Sequence, residues 1–194
     1  MDKSRGARSR ALEGAEALFR TQGYAATGLT QILEVSAAPK GSFYFHFPGG
    51  KQQLAREVLE AYGARVLAGL RALTARHSGD PAGFARALCA SMAQEMADSG
   101  WTLGCAAQNL ANELAPLDAG FADSVAATFD GWIAVIADAI HGAYDSRALA
   151  SRRATALLAS LEGAKTLARA ARSEAPFLAV NEWMAAELAP RPRG

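Results

Sequence analysis

The chain has 194 residues, 20 Lys and Arg against 19 Asp and Glu, and a formal net charge of +1, a balance that singles out no partner. Abundant Ala, Leu, Glu and Arg give an all-α composition, and no apolar stretch of about 18 uncharged residues or apolar signal segment appears, so a cytoplasmic protein without a membrane span is expected. Two cysteines (Cys89, Cys105) and three scattered histidines (His46, His77, His141) make no metal-ligand spacing, so no metal, cofactor or disulfide is expected.

Residues 1–10 read as a basic arm leading into a first helix whose apolar face is Leu12, Ala15, Leu18 and Phe19 and whose stop is Gly23. Lys3, Arg5 and Arg8 either meet a polyanion or form a solvated tail. Thr27 or Gly28 caps a second helix, on which Leu29, Ile32 and Leu33 fall at i, i+3 and i+4. Ser36-Ala37-Ala38 makes a turn of small residues, and Pro39 opens a helix of about two turns to Phe45. That helix buries Phe43 and Phe47 and turns Lys40, Gly41, Ser42, Tyr44 and His46 outward or sideways. So short a helix needs bracing by its neighbours. Its side chains suit phosphate oxygens and base edges, and the pair reads either as a helix-turn-helix or as an ordinary helical hairpin.

Phe47-Pro48-Gly49-Gly50 forms a loop, and Lys51 begins a long helix to about His77 with Leu54, Val58, Tyr62, Val66, Leu70 and Leu73 inward. Asp80 and Pro81 start the next, with Phe84, Leu88, Met92 and Met96 inward. A short helix through Gln108, Asn109 and Glu113 ends before Pro116, and Asp118 caps a longer one reaching Tyr144. Asp145 or Ser146 caps a helix over about 147–172, and the last spans about 175–188. Residues 190–194 are expected to be a disordered tail.

Residues 1–51 carry a formal charge of +3 and the remainder −2, a basic head on a slightly acidic body. The ordered positions Phe19, Gly23, Thr27, Leu29-Thr30, Ile32, Val35-Ser36, Lys40-Gly41-Ser42-Phe43-Tyr44-Phe45-His46-Phe47 and Lys51 resemble the DNA-binding domain of the TetR family of bacterial transcriptional regulators. The resemblance covers about the first quarter of the chain. It implies a helix-turn-helix head over residues 1–50 and a helical effector-binding and dimerisation domain over 51–189. A shorter likeness, Gly104-Cys105 through Asn109-Leu110 and Glu113-Leu114, resembles a subgroup containing multidrug- and flavonoid-responsive repressors.

Carried onto this sequence, the resemblance makes Gln31, Lys40, Gly41 and Ser42 the residues for base edges and Thr27, Thr30, Tyr44, His46 and Lys51 those for phosphates. A homodimer on a near-palindromic double-stranded operator is implied, paired through the last two helices. Its expected interface is Leu157, Leu161, Ala164, Leu167, Ala168, Phe177, Val180 and Met184. The body shows no catalytic constellation. Its large side chains Tyr62, Phe84, Met92, Met96, Trp101, Phe129 and Trp132 either fill a core or enclose a site for a small apolar or aromatic effector. Cys105, Gln108, Asn109 and Glu113 are the expected polar groups of that site. A repressor released by such an effector is the leading expectation. The alternatives are a regulator switched through Cys105 or by a protein partner, and a helical small-molecule carrier without DNA binding.

Overall fold

The computed structural model describes residues 3–188, with side chains from residue 6 onward; the expected tail at 190–194 lies outside the described residues. Among the described residues every regular element is helical: α1 (Lys3–Gln22), α2 (Leu29–Ser36), α3 (Lys40–His46), α4 (Gly50–Arg76), α5 (Pro81–Asp98), α6 (Ala106–Leu114), α7 (Ala119–Ile140), α8 (Arg147–Ala171) and α9 (Ala175–Glu187). The expected basic arm is helical from Lys3. Helix starts follow the sequence signals closely. The Asp80 carboxylate accepts the Gly83 N–H and the Ser146 hydroxyl the Leu149 N–H, satisfying N–H groups that a first turn leaves orphaned. The α7 helix stops at Ile140, short of the expected Tyr144, because a 3-10 turn through Gly142 follows and Tyr144 is already extended at ψ 150°.

The helices form two compact units, 1–64 with 104–128, and 65–103 with 129–194, and α4 and α7 contribute residues to both. In the first unit α1 packs against α2, α3 and α6. Its buried stripe is Ala7, Ala11, Ala15 and Phe19, at strict i, i+4 spacing, while Leu12 and Leu18 are only half-buried. The expected face was thus rotated: alanines let the neighbouring helices approach α1, and the leucines flank the contact. The rest of this core includes Ile32, Phe43, Phe47, Leu54, Val58, Leu110 and Phe121, all buried.

In the second unit α5, α8 and α9 pack on one another. Phe84, Leu88, Leu157, Leu161, Ala164, Ala168, Phe177 and Met184 are buried within this one chain. Most of the expected dimer face thus lies inward within this one chain. Of that set Leu167 is 62% exposed and Val180 half-buried. The outward face of α8 is Ala159, Gly163, Leu167 and Ala170, all exposed and at helical spacing, and Leu178 of α9 is 50% exposed. The α8 helix also encloses Glu162 and Lys165, with Lys165 Nζ 3.3 Å from Glu162 Oε1. Because Leu161 is fully enclosed, Leu161→Ala leaves a cavity and should lower unfolding free energy by about 2–5 kcal/mol in a urea titration.

Candidate nucleic-acid interface

The turn between α2 and α3 closes through Ala37, left-handed at φ 49°, whose N–H bonds back to Glu34, while the Ala38 N–H bonds to Leu33 O. That is the capping pattern that ends a helix sharply, at some strain for a residue with a Cβ. Ser36 is buried with its hydroxyl on Ile32 O at 2.7 Å, and Arg10 of α1 donates to Ser36 O at 2.9 Å, so α1 closes the end of α2. Pro39 is the residue before α3 rather than its first, extended at ψ 141°.

The seven residues of α3 are anchored by Phe43 and Phe47, both buried, with ring centroids 5.1 Å apart. Burying each ring contributes about 1.5–3 kcal/mol, which offsets the poor self-stability of two turns. Lys40, Gly41, Tyr44 and Phe45 face outward and Ser42 and His46 are half-buried. Phe45, not among the expected contacts, is 79% exposed. A large ring left in water on a helix this short is the signal that pattern reading passed over. A Cβ built on Gly41 would meet nothing within 4 Å, so the fold itself does not require glycine there.

On α2, Thr30 is exposed, and Gln31 is held by Gln22 through paired amide bonds of 2.8 and 3.3 Å. Two expected phosphate contacts are engaged internally. Thr27 is fully buried and its hydroxyl donates to Gly23 O at 2.6 Å. Lys51 Nζ donates to Tyr24 O at 2.9 Å and Thr27 O at 2.8 Å and lies 4.0 Å from the Tyr24 ring centroid. Burial lowers the Lys51 pKa, with Glu113 opposing. Both side chains brace the loop behind the helix pair. Arg8 likewise pairs with Glu57 at 2.6 Å.

Two of the polar groups assigned to an effector bond to backbone at the end of α1 and just after it. The Glu113 carboxylate accepts the Tyr24 N–H at 2.8 Å and the Ala25 N–H at 2.5 Å. Asn109 Nδ2 donates to Phe19 O at 2.7 Å, and Arg20 and Gly104 exchange two bonds of 2.8 and 2.9 Å. The Asn109 amide is thus engaged with the end of α1 and the Glu113 carboxylate with the loop after it. Cys105 is fully buried, its sulfur accepting the Gln108 N–H at 3.5 Å, and Gln108 is half-buried. Tyr62 is buried beneath the Arg20 guanidinium.

In the second unit Phe84, Met96 and Trp132 are buried, Phe129 meets Trp132 edge-on at 5.4 Å, and Met92 and Trp101 are half-buried. Trp101 holds a left-handed φ of 67°, an unusual conformation for a bulky residue. An open groove of about 520 Å³ in this unit runs along Leu67, Arg71, Thr74, Ala75, Gly131, Ala134, Val135 and Asp138, none of them an expected effector residue.

Asp118 ties α4 to the start of α7. It accepts the Phe121 N–H at 2.9 Å, bonds Gln52 at 2.9 Å and pairs with Arg56. The Phe121 N–H, and after it the Arg56 hydrogen bond, hold its carboxyl below the usual carboxylate range. A depressed folded pKa contributes stability that is present above the unfolded pKa, about 3.9, and is lost as pH falls through the folded one. Asp118→Asn should therefore show a smaller fall in thermal midpoint below about pH 4 than the parent protein.

The geometry has counterparts among known proteins. The family description "Bacterial regulatory proteins, tetR family" matches residues 11–58, and "Transcriptional regulator LmrA/YxaF-like, C-terminal domain" matches 81–183. The HTH-type transcriptional regulator LmrA of Bacillus subtilis is 30% identical over 178 residues, 90% of this chain and 92% of its own. The HTH-type regulator YxaF of the same organism is 31% identical over 92% of this chain and 94% of its own. The crystal structure of a TetR-family transcriptional regulator from Agrobacterium tumefaciens superposes with a TM-score of 0.79 at 26% identity, over 94% of this chain and 97% of that one. The chain belongs to the TetR family of bacterial regulatory proteins, the helix-turn-helix transcriptional regulators.

Proposed function

We propose that the protein is a homodimeric repressor that leaves a near-palindromic operator when its helical body takes up a small apolar or aromatic molecule. The observation that carries the DNA-binding part is the outward face of α3. Two buried rings fix the helix, and Lys40, Gly41, Tyr44 and Phe45 are presented to the outside. In the major groove Lys40 and Ser42 meet base edges, the open space at Gly41 admits close backbone approach, and Phe45 packs on thymine methyl groups. Thr30, Tyr44 and His46 take phosphates. Gln31 reaches the groove edge with its amide oriented by Gln22, while Thr27 and Lys51 act from behind as supports.

Two heads in successive major grooves stand about 34–36 Å apart. The supporting observation for pairing is the α8 face of Ala159, Gly163, Leu167 and Ala170, small and apolar yet outward. The effector part is supported by the buried aromatic side chains of the second unit, Phe84, Trp132 and Phe177, and by the C-terminal match to regulators of the LmrA/YxaF kind. The α4 and α7 helices, each contributing residues to both units, are covalent routes for the response. The effector must bind the DNA-free state more tightly than the bound one, and DNA then weakens effector binding by the same factor.

Fluorescence anisotropy on DNA flanking the gene tests the head. Removing Tyr44 and His46 together (both to Ala) should weaken binding with little change in the slope of log affinity against log salt, because losing uncharged hydrogen-bond donors changes counterion release little. Phe45→Ala should weaken binding without changing that slope, and an unchanged affinity would remove Phe45 from the interface. For the dimer, Leu167→Asp should shift the protein to monomer in sedimentation while its helical circular dichroism is retained. A dimer persisting in that variant would place the interface elsewhere.

A further inference from the structure

Residues 23–27, which join α1 to α2, are gripped from two sides by groups of opposite charge. On one side the Glu113 carboxylate of α6 takes two consecutive N–H groups, Tyr24 at 2.8 Å and Ala25 at 2.5 Å. On the other the Lys51 ammonium takes Tyr24 O and Thr27 O and lies over the Tyr24 ring. Gly23 completes the joint. It is left-handed at φ 87°, and a Cβ there would come within 2.5 Å of Glu113 Oε1. Glycine at this position thus serves the approach of the carboxylate as well as the turn. The opposed pair leaves the loop little freedom to slide, because any shift lengthens a charge-assisted bond on one side.

This loop sets where α2 begins, and α2 with its turn sets where α3 points. We infer that Glu113 is a positioning residue for DNA recognition: from α6 it fixes the α1–α2 loop and so the orientation of the recognition helix. The inference rests on the reading of α3 as the DNA-contacting helix. It gives α6 a grip on the head through one side chain that touches no DNA. Asn109 on Phe19 O and the paired Arg20–Gly104 bonds attach the same helix to the end of α1, so α6 and the loop are registered as one body.

A residue that orients the reading helix differs from one that merely stabilises the fold in what its loss changes. Glu113→Gln keeps size and shape but replaces one acceptor oxygen with an NH2 facing a backbone N–H. The test uses the full-length protein and an operator recovered by selection from random-sequence DNA. It compares that operator with copies whose half-site spacing is about one base pair longer or shorter. The expected result is a loss of about tenfold or more in operator affinity with an unchanged salt slope, since no phosphate contact is removed. The preference for the native spacing should narrow as well. That preference is a ratio, which any fraction of inactive protein leaves untouched, and Glu113→Asp, which keeps the charge with a shorter reach, should fall between parent and Glu113→Gln.

Unchanged affinity and spacing preference in Glu113→Gln would overturn the inference, as would an affinity loss with the spacing preference intact. The Tyr44→Ala, His46→Ala protein separates this from failure of the underlying reading. If that control also binds like the parent, it is the role of α3 that falls.

Discussion

A helix of seven residues does not hold its own shape in water, so everything the recognition helix does depends on what fixes it from behind. Phe43 and Phe47 supply the apolar part of that support and the loop at residues 23–27 the polar part. The two differ in kind. Buried rings resist withdrawal of the helix but are non-directional, whereas the bonds from Glu113 and Lys51 are short, charged and directional. Packing therefore sets how closely α3 is held to the core, and hydrogen bonding its orientation. Thr27 and Lys51, whose residue types suggest phosphate ligands, belong to the second system.

The body has its own division of labour. One side of α8 is committed to the chain's interior through Leu157, Leu161, Ala164 and Ala168, and a second side presents Ala159, Gly163, Leu167 and Ala170. Enclosing Glu162 and Lys165 on the same helix is costly unless the charges meet, which they do at 3.3 Å. The thiol of Cys89 is buried and pushed up to about 11, an inert state, and Cys105 is enclosed at the first turn of α6.

Element order and helix ends were legible because they are local. Asp80 with Pro81, Ser146 and Gly23 mark boundaries by capping chemistry that needs no tertiary context. The buried rings of α3 followed from periodicity in the same way. What the sequence did not disclose is long-range. Asn109 and Glu113 meet backbone groups about 90 positions away, so residue type alone left them looking like ligand contacts. Periodicity located apolar positions on α8 but not which of two stripes faces inward, because Leu and Ala occur on both. On α1 the choice of Ala over Leu for the tight contact is decided by how closely α2, α3 and α6 approach.

The open space around Gly41 bears on how such regulators diverge. In the proposed interface the outward positions of α3 answer to the DNA, while Phe43 answers to the fold. At Gly41 the fold imposes no steric limit, so in the proposed interface the residue there would answer to the operator alone. A lineage can change that residue, acquire a new target sequence, and keep its body and partner chain intact. Duplicated copies of the gene thus have a low-barrier path to separate regulons.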